Sequence, residues 1–329
     1  MNSREIVQRT LDFDYPERVA HSFPQSDFIK VRVEVPRGEW HITRGDEWER
    51  VDAWGNVWGR VDKTSKGEVV RGALADLDQA ETFPLPDLNN PDYYRASEAQ
   101  FAQYPDRWPL AVIEGFSFSI ARKLRRLDQY FMDLMTEPEK IAILHDRIDE
   151  QIRAQMRQIR TVGAAGFIFG EDWGTQERMF IHPRLWRKEF KPRFAALCDY
   201  AHELGLIVFM HSCGKITEII PDLIEVGVDL LQFDQPTVHR YETLAAFQQN
   251  HKISFWCPVD IQAVLPSGDD ALIRQHASAM LDNLWRGRGG FIAGFYEDMP
   301  SIGVAEAWQQ VASDEFLRHG QRENFLPAR

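Results

Sequence analysis

Cysteine is scarce in this chain. Only Cys198, Cys213 and Cys257 occur among 329 residues, an odd number and too few for a disulfide framework, so free thiols or metal ligands are expected. Positive charge is also in deficit. With 38 Lys and Arg against 50 Asp and Glu the net charge is −12 at pH 7, which argues against nucleic-acid binding, since that needs a broad basic face. No apolar run approaches the roughly 20 residues that span a bilayer. The longest, Gly205-Leu-Ile-Val-Phe-Met210, has the length of a strand. The opening Met-Asn-Ser-Arg-Glu has no apolar h-region, so a cytoplasmic rather than an exported protein is expected. No Gly-x-Gly-x-x-Gly follows an apolar run and no Gly-x-x-x-x-Gly-Lys-Ser/Thr occurs, which removes the usual phosphate cradles. Neither Gly-x-Ser-x-Gly nor His-Glu-x-x-His is present, which disfavours serine hydrolases and zincins.

What remains is 44% hydrophobic and 27% charged, enough apolar material for one large core. Short apolar runs recur: Arg18-Val-Ala-His-Ser-Phe23, Leu110–Ile113, Phe167–Phe169, Leu206–Met210, Asp229–Phe233, Ile253–Trp256 and Gly290–Ala293. Continuous apolar strands of this kind suit a parallel sheet covered on both faces. Between them lie helical signals. Thr136 before Glu137-Pro138-Glu139 reads as an N-cap, and Ile141, Leu144, Ile148 and Ile152 recur at helical spacing up to Gly163. Pro183 opens a second helix that ends at Gly205. Seven strands, with one more short or missed, predict a (β/α)8 TIM barrel as a single domain over 1–329. Four tryptophans, Trp40, Trp48, Trp54 and Trp58, mark an N-terminal β-hairpin extension over residues 38–72, read as hairpin packing rather than a ligand cage.

In such a barrel the residues just past each strand's C-terminal end line the active-site mouth. Those places hold Glu114, Glu171-Asp172, His211-Ser-Cys213-Gly214, Asp234-Gln235, Cys257-Pro-Val-Asp260 and Tyr296-Glu297-Asp298. His211 and Cys213, at i and i+2, project to one side and can converge on a Zn²⁺ ion, for which an N/S pair is suited. Cys257 is the preferred third ligand and Glu297 the main alternative, with Glu171 and Asp172 as further oxygen alternatives. Asp172, Glu171 and Tyr296 are candidates for catalysis, whereas Glu114, Gln235 and Asp260 are candidates for substrate contact. For Glu171, Asp172 and Asp260 a competing role is capping the next turn. Cys198, inside the helix after Pro192, reads as core. Arg122, Lys123, Arg125 and Arg126 read as a solvated helix face, or else as a spot for an anionic partner.

The stretch His211-Ser-Cys-Gly-Lys215, with Ile219-Ile-Pro-Asp-Leu-Ile-Glu225 and Gly227-Val-Asp229-Leu-Leu after it, resembles the uroporphyrinogen decarboxylase superfamily. So do Asn2-Ser-Arg-Glu-Ile6 with Pro16-Glu-Arg-Val19, and the Pro192 helix. The resemblance implies a (β/α)8 barrel. Metal-free decarboxylases of that superfamily carry an Arg-Gln-Ala-Gly-Arg stretch, where this chain has His21-Ser-Phe-Pro-Gln25. The other branch, zinc-dependent methyltransferases that work with corrinoid proteins, carries His-x-Cys as two zinc ligands, which His211 and Cys213 match. The third ligand of that branch is a cysteine near the last strands, where this chain has Gly294-Phe-Tyr296-Glu297. The resemblance therefore implies a methyltransferase of the O- or N-demethylating type, acting on a small molecule with a corrinoid on a separate protein. The competing readings are a metal-free decarboxylase or lyase, with Asp172 stabilising a cationic intermediate, and a non-catalytic binding barrel.

Overall fold

The computed structural model describes residues 1–43 and 47–326. Eight parallel strands form a nearly closed barrel: β1 (Ala20–His21), β2 (Phe28–Arg32), β7 (Trp108–Val112), β8 (Gly166–Gly170), β9 (Ile207–His211), β10 (Leu230–Gln232), β11 (Ser254–Cys257) and β12 (Phe291–Ala293). The missing strand of the sequence reading is β2. Its Phe-Ile-Lys-Val-Arg pattern alternates rather than running apolar, because Lys30 and Arg32 stand where the strand meets an open cavity. Between β1 and β2 no helix intervenes. The two are tied through Asp27, whose N–H donates to the His21 carbonyl and whose carboxylate takes two hydrogen bonds from Arg18, at 2.6 and 2.7 Å.

The barrel interior is filled by large rings. Phe28 stacks on Trp256 with centroids 5.0 Å apart, and Trp108 stacks on Phe209 at 5.3 Å. Leu110, Leu230 and Ile292 join them, and Ile6, Val7 and Leu11 of the helix Ser3–Asp12 close the N-terminal end. A larger core lies between the strands and the surrounding helices and includes Cys198, fully buried as its helical position implied. With one end plugged, only the C-terminal end of the barrel is left for a cavity.

Residues 38–72 form more than a hairpin. Four antiparallel strands, β3 (His41–Ile42), β4 (Trp48–Val51), β5 (Val57–Arg60) and β6 (Glu68–Arg71), pair in sequence order. Trp54 is buried at its base, and Trp40, Trp48 and Trp58 stack with Arg50, Arg60, Lys63 and Lys123.

Two local expectations are corrected. Thr136 does not cap the long helix Pro138–Thr161; Glu137 holds that position, while the Thr136 hydroxyl donates to the Met132 carbonyl in the last turn of the preceding helix. The basic run is not a solvated face. Arg125 is buried, pairs with Asp133 at 2.6 Å and donates to the carbonyls of Leu74 and Ala75. Lys123 faces the cavity, and of the four only Arg126 is exposed.

The long helix also carries an acid-sensitive group. His145 is fully buried, with Nε2 2.9 Å from the Tyr130 hydroxyl, and burial, aided by the nearby Arg193 charge, pushes its pKa down to about 3. An unfolded histidine titrates near 6.5. The folded state therefore binds fewer protons between those values, and stability present above pH 6.5 is lost as pH falls. The expected loss from this residue is about 2 kcal/mol at pH 5 relative to pH 7. Urea unfolding at the two pH values checks it, and a His145→Gln variant with undiminished pH dependence contradicts it.

Candidate functional site

Strand parity decides which side chains reach the mouth. On β9, Phe209 packs inside the barrel, so His211 points inward two residues later and Cys213 continues the same side. On β8, Ile168 packs inside, which aims Gly170 and Asp172 inward and Glu171 outward. The same alternation turns Lys30 and Arg32 (after Phe28), Glu114 (after Leu110) and Gln232 and Asp234 (after Leu230) into the cavity. That cavity measures about 830 Å³ and is also walled by Trp58, Trp256, Phe295, Tyr296 and Glu297.

Asp172 and His211 line the cavity, and with the adjoining Cys213 they place one ligand atom each within 4.8 Å of one another. The Cys213 Sγ lies 3.3 Å from His211 Nε2, and Asp172 Oδ1 lies 3.4 Å from the same nitrogen. The other ring nitrogen, Nδ1, is hydrogen-bonded to Oε1 of Gln232, whose amide in turn donates to Asp234 Oδ1 at 2.8 Å. An acceptor at Nδ1 keeps the proton there and turns Nε2 toward the other two ligands, as outer partners of metal-bound histidines do. Although burial opposes both charges, hydrogen bonds from His211 and from the Cys213 N–H hold Asp172 well below the carboxylate range, and Asp172 holds His211 well above the ordinary histidine value. A metal ion would replace the proton on Nε2.

Two glycines make this convergence sterically feasible. Gly214, at φ +72°, lies so close to the next loop that an added Cβ would meet the Gly174 carbonyl oxygen at 2.3 Å. A Cβ on Gly174 would meet the Lys215 nitrogen at 2.6 Å. The loops after β8 and β9 therefore pack backbone on backbone. They are joined by Lys215 N–H to the Thr175 carbonyl at 2.7 Å and by Cys213 N–H to Asp172 Oδ1 at 2.9 Å.

The remaining candidates divide. Glu114 and Tyr296 reach the cavity, the first accepting from Trp54 Nε1 at 2.8 Å and the second from Lys66 Nζ at 2.7 Å. Glu297 also lines the cavity, paired with Lys30 rather than with Asp172, His211 and Cys213. Cys257 is fully buried beside Phe255 in the core between strands and helices, and burial pushes its thiol pKa up. It does not join His211 and Cys213; Asp172 does. Glu171 also faces away. Its Oε1 accepts from the N–H groups of Phe116 and Ser119 at 2.7 and 3.0 Å, fastening the start of the helix Ser117–Arg125, and burial raises its pKa to about 8. Asp260 caps its own turn through Gln262 and Ala263, and Gln235 holds the Gly214 N–H at 3.1 Å. Sequence reading missed Lys30, Arg32, Arg37, Arg50 and Gln232, of which the inward parity of β2 and β10 marks Lys30, Arg32 and Gln232; Lys123 belongs to the basic run read as a possible spot for an anionic partner, and it lines the cavity.

Gln232→Ala is expected to lower metal affinity by about 10- to 100-fold while His211 and Cys213 stay in place. Competition against a chelating dye measures this, and an unchanged affinity contradicts the orienting role.

Fold and site together define a class: a (β/α)8 barrel with an N, S and O donor cluster at the ends of its strands. The uroporphyrinogen decarboxylase family model matches residues 63–300, and the chain belongs to that family. Among solved structures, a methyltransferase from Methanosarcina mazei is similar in fold, with a TM-score of 0.61 at 14% identity over 99% of this chain and 86% of that one. A D-psicose 3-epimerase matches with a TM-score of 0.45 at 10% identity, covering 72% of this chain and 86% of its own. No curated protein matches the sequence. Among the described residues no helix is long and apolar enough to cross a membrane.

Proposed function

We propose that this protein is a zinc-dependent methyltransferase that moves a methyl group between a small substrate and a corrinoid carried by a separate protein. The observation that carries the reading is the cluster of Asp172, His211 and Cys213, of which Asp172 and His211 line the cavity. Membership of the uroporphyrinogen decarboxylase family and the fold shared with a methyltransferase support it.

The donor set fits zinc. One imidazole, one thiolate and one carboxylate run from soft to hard donors, a range that borderline Zn²⁺ accepts, and three protein ligands leave a fourth position for substrate. Bound there, zinc would supply Lewis acidity to a substrate heteroatom, favouring a thiolate or polarising an ether oxygen. The chain's own groups do the positioning. Gln232 keeps His211 Nε2 turned to the cavity, and the Cys213 N–H holds Asp172 Oδ1. Tyr296, its hydroxyl tied to Lys66, and Glu114, tied to Trp54, stand on the walls as substrate contacts. Trp256 and Phe295 supply apolar wall.

Elemental analysis of protein purified without a histidine tag tests the reading. About one zinc per chain is expected. Protein that takes up no zinc overturns it in favour of a metal-free lyase or a binding barrel.

A further inference from the structure

The chain is strongly acidic, yet one wall of its cavity is cationic. Arg32 from the end of β2, Arg37 beyond it, Arg50 from β4 and Lys123 from the helix Ser117–Arg125 all line it. Lys30 and Lys66 also reach the cavity but have acidic partners, Glu297 and Asp298. Among the described residues the other four make no ion pair and no side-chain hydrogen bond. Arg50 stacks on two rings. Its guanidinium lies 4.7 Å from the Trp40 ring centroid and 5.3 Å from that of Trp58, and its Nε is buried without a partner. The Lys123 Nζ lies 5.7 Å from the centroid of the same Trp58 ring.

The nearby carboxylates do not neutralise the wall. Asp52 is committed to the Trp54 and Asn56 N–H groups, the Asn56 amide and the Trp58 indole. Of the carboxylates lining the cavity, Asp172 is held by the Cys213 N–H and His211, Asp234 by the Gln232 amide, and Glu297 and Asp298 by Lys30 and Lys66; Glu114, left facing the cations, already accepts from Trp54. Burial, and for Arg50 the neighbouring Arg37 charge, lower the proton affinity of Arg50 and Lys123. Half-buried cations crowded together and lacking partners are stabilised by a bound anion, and a stacked arginine presents a fork suited to a planar oxyanion.

We infer that Arg32, Arg37, Arg50 and Lys123 form a binding wall for an anionic group of the substrate, of the carboxylate class, and that the appended four-stranded sheet is therefore part of the substrate site. The inference rests on the proposed function in placing the reacting methyl group at the Asp172 cluster. The wall itself is independent of the metal. Aromatic residues of the cavity lining, Trp58 and Trp256 among them, suit a ring carried by the same molecule.

Fluorescence titration of the whole protein tests this, since Trp58 lies at the wall. The probes are 4-methoxybenzoate, its neutral counterpart methoxybenzene, and inorganic phosphate as a competitor. The benzoate is expected to bind at least about 10-fold more tightly than methoxybenzene, because each charge-assisted contact is worth about a factor of 10 or more. Phosphate is expected to displace it. Arg50→Gln and, as a second variant outside the stacked cluster, Arg32→Gln are each expected to weaken benzoate binding by about 10-fold or more and to leave methoxybenzene binding unchanged. Binding of the benzoate should persist in chelator-treated protein and in Cys213→Ala, which separates this wall from the zinc reading. Failure of the anion to bind at millimolar concentration, equal binding of charged and neutral probes, or no effect in both arginine variants overturns the inference even where zinc is present.

Discussion

Cys213→Ala is expected to lower zinc affinity by more than about 100-fold, the upper range for losing an orienting partner, because this change removes a ligand itself. Two remaining protein ligands, His211 and Asp172, cannot hold zinc against competing chelators. The fold should survive. Cys213 lies just past a strand end, half-buried beside His211, and contributes neither to the aromatic filling of the barrel nor to the core beneath the helices. Asp172→Asn should act in the same direction, since an amide oxygen is a weaker ligand and the attraction for His211 is lost. Cys257→Ala should leave zinc binding unaltered and should instead reduce stability by about 1 kcal/mol, the usual scale for trimming a small buried side chain. Metal content and circular dichroism on the same samples separate these outcomes. Zinc retained in Cys213→Ala but lost in Cys257→Ala contradicts the cluster.

The second large effect is conformational. Gly214→Ala is expected to destabilise the protein by about 3 kcal/mol or more, since overlaps with backbone cannot be relieved by turning a side chain. The new Cβ would meet the Gly174 carbonyl oxygen at 2.3 Å, the Gly174 carbonyl carbon at 2.4 Å and the Thr175 carbonyl oxygen at 2.6 Å. Gly205→Ala is the matched control. Gly205 has a similar φ of +69° but nothing within 4 Å of its added Cβ, so only the left-handed backbone penalty of about 1 kcal/mol applies. Because Gly214 follows Cys213 directly, the first variant should also weaken zinc binding, through separation of the two loops. Equal unfolding free energies for the two variants would contradict the packing account.

Much of this was legible in the chain because a parallel barrel imposes a simple pattern. The apolar runs that mark β7, β8, β9 and β11 are buried on both faces, and the polar residues that end them lie at the mouth. The exceptions have physical causes. β2 was not seen because the cavity makes its inward face polar after Phe28. Glu171 and Cys257 misled because being at a strand end was counted and side was not. Each stands one residue away from an inward position, next to Asp172 and Trp256 respectively, and so faces the helices. The loop closure that brings Asp172 to His211 and Cys213 joins segments some 40 residues apart through Gly174 and Gly214, and no local pattern encodes that distance. The folding of β3–β6 over the mouth is likewise a tertiary event. Local sequence shows the tryptophans and arginines but not that Arg50 and Trp58 turn toward the barrel.

X-ray absorption at the zinc edge of the wild-type protein tests the central claim most directly, because sulfur and nitrogen or oxygen ligands differ in distance by about 0.2 to 0.3 Å. A site made by Cys213, His211 and Asp172 predicts about one zinc per chain with a single sulfur neighbour and the remaining ligands nitrogen or oxygen. Two sulfur neighbours would place Cys257 in the site, and a zinc with no sulfur neighbour, or no zinc at all, would contradict the centre described here.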